Sequence, residues 1–375
     1  MKIDYIADVR LPTERAHGLQ IAKMCAAFAA AGADVRLIVP KKTSHASASD
    51  VFDYYGVKKS FEIVFLPTFD LLGKTWRLGK LLYWLDLGIF LGTLFLSGQT
   101  RKGAWLYARD PLLLLPFWNQ RHRWCIEVHN LPHKKSFFLK ILRRAHRIIV
   151  LTNLLKDDLV ACGINPDQVI VAADAVDSEE FQVPVTQAEA RQQLGLPSGK
   201  KIVLYSGHLY PWKGARVLAQ AAVMNPEINF IFVGGVEPEL TDFQNEYRHH
   251  SNITVLPFQA HTSIPYYLQA ADVLVLPNSG NVPISTRYTS PLKLFEYMAS
   301  GRPIVASQLP SIQEVLNDRN CFFAQADDPD SFSRAIRTAL ENPDLAAAKA
   351  SAALSDVKQY TWQQRAVSIS NFMQL

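Results

Sequence analysis

Residues 286–303 read TRYTSPLKLFEYMASGRP, and the fold turns on how this stretch is understood. Thr289-Ser290-Pro291 is a small polar turn set before a helical run. The first turn of such a helix leaves backbone N–H groups without intrahelical partners, and an end of that kind attracts phosphate. Pro291 suits the first helical position because it has no N–H to lose there. Lys293 and Glu296 stand three apart, so both fall on one face. The ammonium is placed for phosphate and the carboxylate for sugar or ribose hydroxyls. Gly301-Arg302-Pro303 ends the helix, and Ile304-Val305-Ala306 opens a strand. A capped helix followed by an ordinary loop explains the same residues equally well.

Extended to residues 290–307, SPLKLFEYMASGRPIVAS, the stretch resembles the nucleotide-sugar site of the GT-B glycosyltransferases. The likeness is to the large retaining family that holds many bacterial mannosyl-, glucosyl- and N-acetylglucosaminyltransferases. That family's signature is two acidic residues separated by seven others. Glu296 matches the second, and Tyr288 stands where the first would be. The resemblance implies an α/β fold of GT-B type, two Rossmann-like domains facing a cleft. It also implies a donor site that includes Tyr288, Ser290, Pro291, Leu292, Lys293 and Glu296.

The preceding residues follow the rhythm of a Rossmann-like domain. A strand Ile202 to Tyr205, a loop, a helix, a strand Phe230 to Val233 and the pair Gly234-Gly235 succeed one another. The loop is Ser206-Gly207-His208-Leu209-Tyr210-Pro211-Trp212-Lys213-Gly214. In the family it typically carries an arginine and a lysine that hold the diphosphate. Lys213 matches the lysine, and His208 replaces the arginine, so a permanent charge gives way to one that titrates. Pro257-Phe258-Gln259 resembles the loop that contacts the base, and Ala271 to Pro277 the strand before the acidic signature. Asp328-Pro329-Asp330 has the form of a metal-binding Asp-x-Asp, but it precedes a helical pattern and reads as a cap.

The first half opens as βαβ: a strand Ile3 to Ala7, a helix from Gly18 to Ala31, and a strand Val35 to Val39. Family members commonly carry two glycines where this chain has His17-Gly18. By resemblance Gly18 would let backbone approach the donor phosphate. Residues 43–60 read as a polar loop, and Phe61 to Leu66 as a strand. After Ala104 to Ala108 comes Arg109-Asp110-Pro111, which again follows the family. Trp124 to Val128 leads into His129-Asn130-Leu131-Pro132-His133. His129 and His133 have the helical spacing of zinc ligands, but Pro132 breaks that helix and no further ligand completes a set. The resemblance makes His129 the strand-end histidine that lines the cleft. Domain boundaries are expected at 1–180 and 181–358, with a C-terminal helix, 359–375, crossing back to the first domain.

Composition narrows the classes. A chain of 375 residues exceeds one ordinary core. Cys25, Cys125, Cys162 and Cys321 show no paired spacing, which points to a reducing cytoplasm, and the N-terminus has no signal-peptide core. Residues 1–175 hold 24 Lys and Arg against 15 Asp and Glu, whereas the rest holds 15 against 19. The basic half also contains LLYWLDLGIFLGTLFL, residues 81–96, short of the ~20 residues a spanning helix needs and interrupted by Asp86. A half-buried helix accounts for it. A membrane-surface segment accounts for it too, with Trp76 and Trp84 at the interface among Lys74, Arg77, Lys80, Arg101 and Lys102. No nucleic-acid motif accompanies the charge.

The expected activity is metal-independent transfer of a hexosyl group, with retention, from a nucleotide-diphosphate sugar to a glycan or lipid-linked acceptor. Lys213, Glu296 and His129 are the catalytic candidates, and Gly18, His208 and Phe258 join the donor-binding set. No cofactor is implied beyond the donor, and the partners are that donor, the acceptor and an anionic membrane surface. A sugar-nucleotide epimerase of the same architecture, or a non-catalytic binding subunit, would share these residues. The replacements at Tyr288 and His208 keep the latter in view.

Overall fold

The computed structural model describes residues 1–42, 50–68, 79–133 and 135–375, with residues 79 and 80 described by backbone alone. Lys74, Trp76, Arg77, Lys134 and residues 43–49 therefore lie outside the described residues. The rest of the expected polar loop contains a short helix, Val51–Tyr55. Its N-cap Asp50 accepts a hydrogen bond from the Phe52 N–H, and it stops at Gly56 with φ +60°.

Seven strands form the first sheet: β1 Lys2–Ile6, β2 Asp34–Pro40, β3 Glu62–Leu66, β4 Trp105–Ala108, β5 Arg123–Val128, β6 Arg147–Val150 and β7 Val169–Val171. Six form the second: β8 Ile202–Ser206, β9 Asn229–Gly235, β10 Ile253–Pro257, β11 Val273–Leu276, β12 Ile304–Ser307 and β13 Phe322–Ala324. The orders are β3-β2-β1-β4-β5-β6-β7 and β10-β9-β8-β11-β12-β13, and each pairing is parallel. The central strands are runs of Val, Ile, Leu, Phe and Tyr buried almost without interruption, as parallel sheets covered on both faces require. In each sheet the strand order reverses beside the first strand, between β1 and β4 and between β8 and β11. The carboxyl ends at such reversals are where open α/β sheets hold ligands.

The first domain comprises residues 1–173 and 362–375, and the second residues 174–361. The sequence reading sets these breaks at 180/181 and 358/359. In the first domain, helix Trp362–Gln374 packs on helix Ala16–Ala30 and buries Trp362, Ala366 and Ile369. Met373 completes that face. Phe372 is only partly buried, and the Arg147 guanidinium lies 5.0 Å from its ring.

Helix Gly79–Leu96 buries Asp86, Leu87, Phe90 and Leu94 and exposes Leu81, Trp84, Leu85, Phe95 and Leu96. No helix among the described residues is long and apolar enough to cross a membrane. Asp86 meets Lys42 Nζ at 2.7 Å, and Lys42 reaches Asp8 at 2.6 Å. This buried triad ties the helix to the carboxyl ends of β1 and β2.

In the second domain, Gly214 separates the loop after β8 from helix Ala215–Val223. It has φ +72°, and a Cβ on it would lie 1.7 Å from the Pro277 carbonyl oxygen at the end of β11. Only glycine lets the two strand ends meet this closely. Gly195 has φ +64° with open space around it, so Gly195→Ala carries the backbone strain alone, about 1 kcal/mol. Gly214→Ala is expected to cost at least about 2 kcal/mol more, because backbone must also move. Urea unfolding of the two variants checks this, and equal losses would contradict it.

Candidate functional site

β8 ends in Tyr205-Ser206, and the chain turns at Gly207 with φ +124°. A Cβ there would sit 3.6 Å from Lys293 Nζ and 3.9 Å from Lys213 Nζ. The turn therefore brings two ammonium groups, from the loop after β8 and from helix Leu292–Ala299, beside one stretch of bare backbone. Gly234 at the end of β9, with φ +110°, packs on the Gly207 backbone and leaves that turn no room to shift.

Lys293 is buried, and among the described residues its Nζ has no hydrogen-bond partner. It lies 3.8 Å from the ring centroid of Tyr205, whose hydroxyl donates to the His208 carbonyl at 2.6 Å. The ring's negative face contributes up to about 2 kcal/mol, less than a buried ammonium loses on leaving water. Burial, with repulsion from Lys213, pushes the Lys293 pKa well below the ordinary lysine value, and Glu296 opposes the shift. Burial likewise lowers Lys213 to about 8, again against Glu296. Lys213 Nζ is 5.3 Å from the Trp212 ring and 5.9 Å from the Tyr210 ring. The His208 ring stacks on Tyr210 at 5.2 Å. Two desolvated ammonium groups over aromatic walls offer charge that a dianion or diphosphate would complement.

The helix carrying Lys293 begins one residue later than the sequence suggests. Pro291 has extended backbone, ψ 133°, and is the cap rather than the first helical residue, which is Leu292. No side chain caps this end, so the N–H groups of its first turn have no side-chain acceptor. Ser290 Oγ accepts a hydrogen bond from the Asp174 N–H at 3.0 Å, which fixes the turn from within the domain. Tyr288 closes a π-helical turn, Ile284–Tyr288, and is buried. Glu296 Oε1 lies 3.2 Å from His261 Nε2, and His261 in turn meets the edge of Phe181. His261 carried no signal in the sequence reading, since a lone histidine before a helix fits no motif. Phe258 remains exposed at the end of β10, its N–H donated to the Gly235 carbonyl.

Two of the expected site residues, Gly18 and His129, lie in the first domain. Gly18 lies inside helix Ala16–Ala30, where a Cβ would meet Tyr55 Oη at 2.2 Å and Thr13 at 2.5 Å. Its lack of a side chain serves packing within the domain. His129 follows β5 with both ring nitrogens engaged, Nδ1 with Arg109 Nη2 at 3.1 Å and Nε2 with Glu127 Oε1 at 2.7 Å. Burial and the Arg109 charge lower its pKa to about 4, against Glu127. Asp328 caps helix Pro329–Glu341 by accepting from the Ser331 N–H at 3.0 Å. Among the described residues no cluster of His, Cys, Asp and Glu could hold a metal ion.

This geometry agrees with what the chain is similar to. Residues 186–355 match the family of glycosyl transferases group 1. D-inositol 3-phosphate glycosyltransferase of Streptomyces scabiei is 26% identical over 246 residues, covering 61% of this chain and 54% of that protein. Its namesake from Mycobacterium tuberculosis is 25% identical over 229 residues, covering 54% and 46%. The chain thus spans about half the length of the curated relatives it matches. Among solved structures, sucrose-phosphate synthase from Thermosynechococcus elongatus superposes with TM-score 0.78 at 20% identity, over 100% of this chain and 98% of that one. Anabaena HepE in complex with UDP-glucose gives 0.77 at 16%, over 100% and 99%. The second domain is a group 1 glycosyltransferase domain, in a chain of GT-B fold.

The lysine pair predicts a pH dependence. An anion binds the protonated amines, so above pH 8 it must draw a proton onto Lys213 from solution. Affinity should then fall about tenfold per pH unit for each lysine recharged. Titration calorimetry with pyrophosphate between pH 7 and 9.5 should show that fall, and Lys213→Arg should flatten it. An affinity independent of pH would contradict the assignment.

Proposed function

We propose that the protein is a metal-independent, retaining glycosyltransferase. It would move a hexosyl group from a nucleotide-diphosphate sugar to a glycan or lipid-linked acceptor in cell-surface polysaccharide or glycolipid synthesis. The observation that carries this reading is the lysine pair beside Gly207, a charge arrangement matched to a departing diphosphate. Lys213, Lys293 and the uncapped helix end at Leu292 would stabilise charge as it develops on that leaving group. Glu296, oriented by His261, would accept hydrogen bonds from the donor's hydroxyls. Tyr288 offers one hydroxyl where a carboxylate would offer two oxygens, so donor choice would differ from that of proteins carrying both acids. HepE's complex with UDP-glucose supports a uridine nucleotide sugar as the first donor to try.

Incubation with UDP-glucose and a lipid-linked glycan fraction should release UDP only when acceptor is present. The rate should be unchanged by EDTA. Interconversion of the nucleotide sugar without acceptor would indicate an epimerase instead, and loss of turnover on chelation would contradict the lysine-only account.

The acceptor reading extends to a bilayer surface on the inner face of the cell membrane. Helices Gly79–Leu96 and Ser136–Leu142 both pack on Pro111–Phe117. They expose Leu81, Trp84, Leu85, Phe95 and Phe137, with Lys135, Lys140 and Arg143 exposed beside the second. Apolar anchors bordered by cations suit an anionic interface, each cation contributing about 1 kcal/mol near the surface. Sedimentation with phosphatidylserine-containing vesicles should exceed that with neutral vesicles at low salt and fall at high salt. Equal partition between the two would favour a soluble acceptor.

A further inference from the structure

Glu127, on β5, is fully buried and accepts from four different elements of the first domain. Gln20 Nε2 donates to its Oε1 at 2.6 Å, from helix Ala16–Ala30. The Tyr107 hydroxyl donates to Oε2 from β4. Arg365 Nη2 lies 3.1 Å from Oε1, from the C-terminal helix. His129 Nε2 completes the set at 2.7 Å. Burial alone would raise the Glu127 pKa, but the Arg365 charge and the His129 hydrogen bond outweigh it and hold it well below the usual carboxylate value. Glu127 is therefore ionised and can only accept.

The protons on His129 follow. A guanidinium has no acceptor, so Arg109 must donate to Nδ1, and Nδ1 must be bare. The ring proton then sits on Nε2 and is donated to Glu127. We propose that Glu127 is a positioning residue that locks His129 as the neutral Nε2–H tautomer, so that Nδ1 fixes Arg109 at the carboxyl end of β4. His129 then transfers no proton, and Arg109 is the group presented at the β1/β4 reversal. A second bond, to the His17 carbonyl at 3.4 Å, also holds Arg109, and an anionic or hydroxyl-rich ligand would engage its other N–H donors. Other titratable groups bearing on this cluster are Tyr5, Tyr107, Cys25 and Cys125, all buried and kept neutral by that burial. The purpose given to this arrangement rests on the transferase reading, whereas the placement of the proton does not.

Nitrogen-15 NMR of the full chain labelled at histidine reads the tautomer directly, with His129 assigned by comparison with His129→Gln. The wild-type ring should show a bare Nδ1 and protonated Nε2, unchanged from pH 8 to pH 5. In Arg109→Met the ring should keep a single Nε2–H tautomer at pH 8, because Glu127 still fixes it. Its pKa should rise above the wild-type value, since burial remains but the Arg109 charge is gone. In the double variant Arg109→Met with Glu127→Gln the two nitrogens should move toward averaged shifts as the lock is lost. Arg109→Met lies at a half-buried position and decides the matter should the double variant not fold. A wild-type Nδ1–H ring, a wild-type ring that titrates near pH 6.5, an Arg109→Met ring without a single Nε2–H tautomer at pH 8, or a single unshifted tautomer in the folded double variant would each overturn the proposal. None of these readings depends on turnover, so an inactive enzyme with the expected spectrum would fault the transferase reading alone.

Discussion

Two lysines that cannot comfortably both be charged are the constraint around which the second domain is built. Lys213 and Lys293 converge beside Gly207, one against Trp212 and the other against Tyr205. Neither rings nor Glu296 restore the hydration they lose. Everything close by serves to hold them there: Gly214 lets the loop touch the end of β11, Gly234 packs under the turn, and Tyr205 pins the His208 carbonyl. Such a site stores unfavourable electrostatics that an anion relieves, so binding and charge neutralisation are one event.

The parts legible in sequence were those with a local cause. Strands β8, β9, β11 and β12 of the second sheet were readable as short apolar runs, whereas β13, three residues long, went unread, and Lys213, Lys293 and Glu296 stood out through the resemblance of one loop and one helix to a known motif. Pro291 was misplaced by one position because a proline is tolerated both at a cap and just inside a helix, and only the backbone angle separates the two. The packing role of Gly18 was missed for a different reason: the side chain that forbids a Cβ there is Tyr55, remote in sequence and inside a stretch taken for loop. The Glu127 cluster was invisible for the same reason in stronger form, since Arg365 lies 238 residues away from Glu127. Long-range polar contacts leave no period in the sequence.

The two domains use opposite electrostatic strategies near their strand-order reversals. In the second, the Lys293 ammonium near the β8/β11 reversal has no hydrogen-bond partner among the described residues. In the first, Glu127 satisfies Gln20, Tyr107, His129 and Arg365 at once, and the network holds one geometry. A carboxylate met from several sides suits positioning, and a buried ammonium without a hydrogen-bond partner suits capture of a charged ligand.

The lysine account is tested most directly by Lys293→Met, a swap of similar length that removes the ammonium. Calorimetric titration with UDP should show affinity reduced about 100-fold, the loss of one charge-assisted contact, while urea unfolding shows stability unchanged or increased, because an unpartnered buried charge is gone. UDP binding equal to wild type in the folded variant would contradict the claim that this pair is the diphosphate site.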